Sequence, residues 1–273
     1  MAIITISREL AALGDEIAYE LANLLGYRFV NKSILEERIK SYGLADHKFQ
    51  KYDERKPSFW ASLSQDRDDY LHYLKTAVLT ETEHGDAVVI GRGAAVLFRD
   101  VPGALSVFLG APMYIRIERT KSYYHCDDKR AKQIIDRSDK DRKGFHHYFF
   151  DAEWRHPGNY HLALNTGHLR PGICAEIIKY LRDQLIPPEV EERSALRLKE
   201  LLLAHQIKHH ILYDKDIPIH FLETEITQGQ LALYGVANAQ SVADAAVSAA
   251  QELIGPDSIR SEIQIVQEYN VIP

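Results

Sequence analysis

Arg8, Arg92, Arg116, Arg119 and Arg142 are the residues whose types and spacing point to chemistry, and that chemistry is the holding of an anion. Arg92 stands between Gly91 and Gly93 at the end of the apolar run 87–90. Glycine on both sides frees the backbone there, and a planar guanidinium matches phosphate oxygens two at a time. A surface arginine in a glycine turn fits the same residues equally well. Ser7-Arg8-Glu9 follow the run 2–6 in the same way, and Gly110-Ala111-Pro112 follow 105–109 and lead a helix bearing Arg116 and Arg119. Three residues apart, those two share a helix face. Phosphoryl transfer uses arginines so placed to spread transition-state charge, often from a mobile lid. Arg137 and Arg142 lie farther on among Asp136, Asp139 and Asp141; by spacing alone that stretch reads as a solvated helix face.

Between the run 2–6 and the helical pattern that starts near Asp15 lies the place for a phosphate-binding loop. Such a loop needs G-x-x-x-x-G-K-[ST]: its backbone N–H groups close around phosphates, the Lys neutralises charge and the hydroxyl holds Mg²⁺. Counted from the strand, Arg8 takes the first Gly position, Leu13 the second, Gly14 the Lys and Asp15 the hydroxyl. ATP bound in the usual way would lose the Lys and the metal-binding hydroxyl, and Glu9, Asp15 and Glu16 would add negative charge beside it. Arg8 is either a replacement cation or the partner of Glu9 or Asp15 in a structural salt bridge.

The elements that must position these residues alternate along the first part of the chain. Strands are expected at 2–6, 27–30, 87–90, 105–109 and 160–164, and helices near 15–25, 31–42, 67–84, 112–122, 128–148 and 171–185. Apolar β-branched strands alternating with helices imply an α/β fold, a parallel sheet with helices on both faces. Ligands of such sheets bind beyond the carboxyl ends of the strands, where Ser7, Arg8, Gly91, Arg92 and Gly93 fall.

At 273 residues and 45% hydrophobic the chain can bury two cores. The stretch Gln184–Ser194, with Pro187, Pro188 and a charge run, reads as a linker, so domains are expected at 1–189 and 190–273. Residues 190–273 carry 6 Lys/Arg against 12 Asp/Glu, and the first part has 27 of each, so the net charge of −6 lies in the second. An acidic surface of this kind repels nucleic acid and anionic lipid, and the expected partners exclude both. With no apolar span and no signal-like start, a cytoplasmic protein is the expectation. In the second part a helix near 194–206, strands at 217–225, 230–234 and 262–267 and a helix near 240–254 give αββαβ, a small α+β unit.

Several segments together resemble the cytidylate kinase-like family: Ile4-Thr-Ile-Ser-Arg-Glu, Asp86-Ala-Val-Val-Ile-Gly-Arg-Gly-Ala-Ala95, Val107-Phe-Leu-Gly-Ala-Pro112, Arg116-Ile-Glu-Arg119, Asp151-Ala-Glu-Trp154 and Tyr160-His-Leu-Ala-Leu-Asn-Thr166. The resemblance covers nearly all of 1–185 and implies a P-loop kinase-type fold with a nucleotide-monophosphate pocket and an arginine-bearing lid. It implies that Arg92 would hold a monophosphate and that Arg116, Arg119 and Arg142 are candidates for phosphate contacts and catalysis. Where the family usually carries Gly-Ser-Gly-Gly, this chain has Ala11, Ala12, Leu13 and Gly14, so only the last glycine is kept. The pattern Gly229-x-Leu231-x-Leu233-x-Gly235 with the Ala-rich helix resembles a BON domain over about 195–268. That implies a non-enzymatic sensing or oligomerisation module and a possible homo-oligomer.

His125-Cys126-Asp127, His146-His147 and His209-His210 show no ligand spacing, and no metal site is assigned. Phe59-Trp60 and Tyr123-Tyr124 read as packing or pocket walls, and Cys126 and Cys174 as structural thiols. Three readings remain. The first is a binder of a nucleotide or other phosphorylated small molecule through Ser7, Arg8, Gly14, Gly91, Arg92 and Gly93. The second is an atypical CMP kinase, with ATP and Mg²⁺ as its cofactors. The third is a structural protein without ligand.

Overall fold

The computed structural model describes residues 1–42 and 66–266; Phe59 and Trp60 lie outside them. The chain forms two compact units, Met1–Ala195 and Leu196–Pro273.

The first unit is built on five parallel strands in the order β2-β3-β1-β4-β5, where β1 is Ile3–Arg8, β2 Arg28–Val30, β3 Ala87–Ile90, β4 Ala104–Gly110 and β5 Leu162–Asn165. The apolar runs are buried on both faces, as expected of a sheet covered twice. On one face Ile4, Ile6, Val88, Ile90 and Val107 meet Ile17, Ala18 and Leu21 of helix α1 (Gly14–Leu25) and Cys174, Ala175 and Ile178 of the later helix Pro171–Leu185. Helix α1 ends because Gly26 takes the left-handed conformation (φ 68°), returning its N–H to Ala22 and Asn23. The remaining helices are α2 (Lys32–Ser41), α3 (Asp66–Thr82), the short α4 (Ala94–Leu97), α5 (Met113–Tyr124), α6 (Asp128–Phe150) and α7 (Pro171–Leu185). Short βα connections leave the carboxyl ends of β1, β3 and β4 side by side.

Helix α8 (Pro188–His209) runs through the stretch read as a linker. Pro188 stands at its first position, where no N–H is needed and φ is already helical, so the proline starts the helix instead of breaking it. In the second unit β6 (His220–Thr227) pairs antiparallel with β7 (Gln230–Ala237), which pairs parallel with β8 (Ile259–Ile265). Helix α9 (Gln240–Ile254) makes the crossover, and its Ala243, Ala246, Ala249 and Ala250 pack on Leu231, Leu233 and Ile226. The αββαβ order is the one expected from the sequence.

Candidate functional site

The turn from β1 into α1 keeps the backbone shape of a glycine loop without its glycines. Ala11 (φ 60°) and Leu13 (φ 57°) are both left-handed, which costs an ordinary residue about 1 kcal/mol. Gly14 is required by contact: a Cβ there would lie 2.5 Å from Arg8 Cγ, so the stem of Arg8 lies across the first turn of α1. The carboxylate of Glu9 is engaged by two other arginines.

Arg116 and Arg119 of the predicted lid region hold the loop by its carbonyls. Arg116, 2% exposed, donates from Nε to Leu10 O at 2.8 Å and from Nη2 to Asp139 Oδ2 at 2.5 Å, with Nη1 3.2 Å from Glu9 Oε2. Asp139 Oδ1 accepts from Leu10 N–H at 3.3 Å. Arg155, unnoticed in the sequence, places Nη2 2.7 Å from Glu9 Oε1 and 2.6 Å from Asp139 Oδ2. With Arg142 Nη1 4.0 Å from Asp139 Oδ1, two carboxylates and three guanidiniums form a network in which each buried charge has a partner. Arg119 grips the next peptide, donating to Ala11 O at 3.0 Å and to Thr166 O at 2.8 Å. Burial lowers the Arg119 pKa, and the Glu16 charge partly restores it.

The second strand end is Gly91-Arg92-Gly93, with φ of 79°, 54° and 72°: three left-handed residues in succession. Gly93 has no alternative, since a Cβ there would lie 2.1 Å from the Phe150 ring. Arg92 is buried at 2% exposure and donates to Glu36 Oε1 of α2 at 2.8 Å and to the Tyr70 hydroxyl of α3 at 3.3 Å.

Ser7, Arg8, Gly91 and Arg142 meet at one cavity beyond the ends of β1 and β3, closed by Phe145, His146 and Trp154. Its volume of about 10 Å³ is the space of one water. Arg142 reaches it from α6, where its Nη1 donates to Ser138 Oγ at 2.9 Å. It is thus more than a solvated charge on a helix face. The Tyr160 phenol, whose pKa is raised by burial, is hydrogen-bonded to Ser7 and donates to Trp154 O at 2.7 Å. Gly14, Arg92, Gly93, Arg116 and Arg119 line no part of this cavity.

The loop does not suit a Mg²⁺-triphosphate held in the P-loop manner. No lysine or hydroxyl stands at its helix end, where Gly14 and Asp15 take their places. Among the described residues no three His, Cys, Asp or Glu side chains group as metal ligands, and no helix is long and apolar enough to cross a membrane. Tyr123 and Tyr124 stand exposed on the end of α5, their rings edge to face with one another at 4.9 Å. Cys174 is buried and its thiol pKa is pushed up by burial.

A model of the cytidylate kinase-like family matches residues 3–168. No curated protein matches the chain. Among solved structures, an uncharacterized protein from Eubacterium ventriosum is 20% identical, with 67% of this chain and 99% of that chain covered and a TM-score of 0.53. This is a likeness of fold. Shikimate kinase from Bacteroides thetaiotaomicron is 14% identical, over 68% of this chain and 99% of its own, at a TM-score of 0.39. The Acinetobacter baumannii enzyme, solved with shikimate, is 15% identical over 68% and 93%, at 0.37.

Proposed function

We propose a ligand-binding role from one premise: the chain belongs to the cytidylate kinase-like family. The first unit binds a nucleotide or another phosphorylated small molecule, with its phosphate beyond the ends of β1 and β3. The observation that carries this reading is the convergence of Ser7, Arg8, Gly91 and Arg142 on one cavity, with the Arg92 guanidinium fixed on the neighbouring turn. Cationic and hydroxyl donors at the carboxyl ends of parallel strands suit phosphate oxygens. At the size of one water the cavity must widen on binding, and Trp154 and His146 are the side chains in its wall that would move.

Phosphoryl transfer from ATP is impaired in this reading. Leu13 takes the place of a loop glycine, Gly14 the place of the lysine and Asp15 that of the hydroxyl. Arg116 and Arg119, which would otherwise serve a transferring phosphate, are spent on bracing the loop. The second unit serves as a BON-like module for sensing or self-association, supported by its αββαβ order, and the protein works in the cytoplasm.

The test is calorimetric titration with CMP, other monophosphates and ATP, each with and without Mg²⁺, followed by an assay of CDP formation. Binding of a monophosphate that is weakened by Arg142→Ala supports the site. Absence of any binding would leave the fold without a ligand. Turnover at about 1 s⁻¹ or faster, within the ordinary enzyme range and abolished by Arg92→Ala, would overturn the impaired reading in favour of an atypical CMP kinase.

A further inference from the structure

In the second unit, His210 has surroundings that ask for a charge. Its Nδ1 lies 2.9 Å from Asp214 Oδ2 and its Nε2 lies 3.0 Å from Glu252 Oε2, with the side chain 18% exposed. An ionised carboxylate only accepts hydrogen bonds, and a neutral imidazole has one N–H and one lone pair. Neutral His210 would set that lone pair against one of the two carboxylates. The imidazolium alone satisfies both.

The ring joins two separate elements. Asp214 ends a single π-helical turn, His210–Asp214, closed by Lys215 N–H donating to His210 O at 2.9 Å, and Glu252 stands on α9. Single π turns are rare and cluster at working parts of proteins. Under this one lies Ile211, fully buried in the core with Ile207 and Ala246. Two further groups face the pair of carboxylates: Lys215 Nζ is 2.8 Å from Glu252 Oε1, and His209 Nε2 is 3.7 Å from Asp214 Oδ1. With His210 charged, Asp214 and Glu252 are balanced by His210 and Lys215. Loss of its proton leaves net negative charge between turn and helix.

We propose that His210 is a proton-operated latch that fastens the π turn to helix α9, closed while the imidazole carries both protons and released when it loses one. The latch governs access to the second unit's core near Ile211, and it assigns that unit a sensitivity to pH that the first unit's anion site does not need. Asp214 first, and Glu252 after it, raise the His210 pKa above its ordinary 6.5. The sign follows: the contribution is complete below about pH 6.5 and is lost as pH rises through the higher folded-state value.

The experiment is an NMR titration of the histidine side chains in the full chain, with His210 assigned by comparison with Glu252→Gln. It is paired with amide hydrogen exchange of 210–217 at pH 6 and pH 9, corrected for intrinsic rate. His210 should keep both protons past pH 6.5. Protection of 210–217 should fall about 2–5-fold at the higher pH, the scale of a partly exposed ion pair. That fall should shrink in Glu252→Gln and vanish in His210→Gln. Titration of His210 at or below 6.5 would overturn the latch, and so would equal protection at both pH values in the unaltered protein. If His210→Gln fails to fold, the titration and exchange of the unaltered chain decide the matter.

Discussion

Arg92 and Glu36 meet at 2.8 Å across 56 residues of sequence, which ties the glycine turn after β3 to helix α2. Arg92 therefore has a structural partner and a place beside the anion cavity at once, and substitutions separate the two roles. Arg92→Ala should cost about 1–3 kcal/mol in denaturant unfolding, because Glu36 and the Tyr70 hydroxyl lose their donor. Glu36→Gln keeps the guanidinium and should leave CMP affinity within a few-fold of the unaltered protein. A loss of CMP binding in Arg92→Ala by about 2–3 kcal/mol, read by calorimetry on folded protein, would assign a phosphate contact to this arginine.

Ala11→Gly should stabilise the protein or leave it unchanged, by about 0–1 kcal/mol. The left-handed conformation at φ 60° penalises alanine, while glycine adds freedom to the unfolded chain and so returns part of the gain. The measurement is the urea midpoint at constant slope. A destabilisation above about 1 kcal/mol would show that the alanine methyl matters more than its backbone.

Gly93→Ala should be severe. The added carbon would lie 2.1 Å from the Phe150 ring and would also sit at a positive φ of 72°. Together these predict a loss of about 2–4 kcal/mol. Combined with Phe150→Ala, which removes the ring, the added cost of Gly93→Ala should fall toward the backbone part alone, a coupling that a double-mutant cycle reads directly.

Asp139→Ala should cost about 2–4 kcal/mol, since it leaves Arg116, at 2% exposure, and Arg155 to share the Glu9 carboxylate and removes the acceptor of Leu10 N–H. Arg155→Gln, at the half-exposed end of the same network, should cost about 1 kcal/mol or less. Thermal unfolding of the two variants checks the contrast.

Much of the architecture is legible without coordinates, and for a definite reason. The strand at 87–90 and the helices at 171–185 and 240–254 carry their periodicity and their stop signals within a few residues, so their limits coincide with the expected ones. Helix α8 fails the same reading because a Pro-Pro pair is ambiguous: it ends a helix in the interior and begins one at the first position. The site is less legible. Glycines and arginines at strand ends show where an anion could bind, yet the partners that decide each arginine's employment, Glu9 and Asp139 for Arg116 or Glu36 and Tyr70 for Arg92, lie 22 to 107 residues away in sequence. Periodicity has no access to pairs so distant. Arg155 escaped notice for the same reason, standing in an irregular segment with no repeating neighbour to mark it.

The order β2-β3-β1-β4-β5 also shapes the life of the chain during synthesis. Strand β1 leaves the ribosome well before the strands that flank it, yet it is the middle of the sheet and finds its two neighbours only when residues 87–90 and 104–110 have been made. Until then Ile3, Ile4 and Ile6, fully buried in the finished protein, have no strand to pair with. Nucleation must wait for contacts roughly a hundred residues apart, which is the slow regime of folding and the one most exposed to aggregation. A nascent chain stalled before β4 should therefore hold on to an apolar-binding chaperone, and release it once β4 closes the second side of β1.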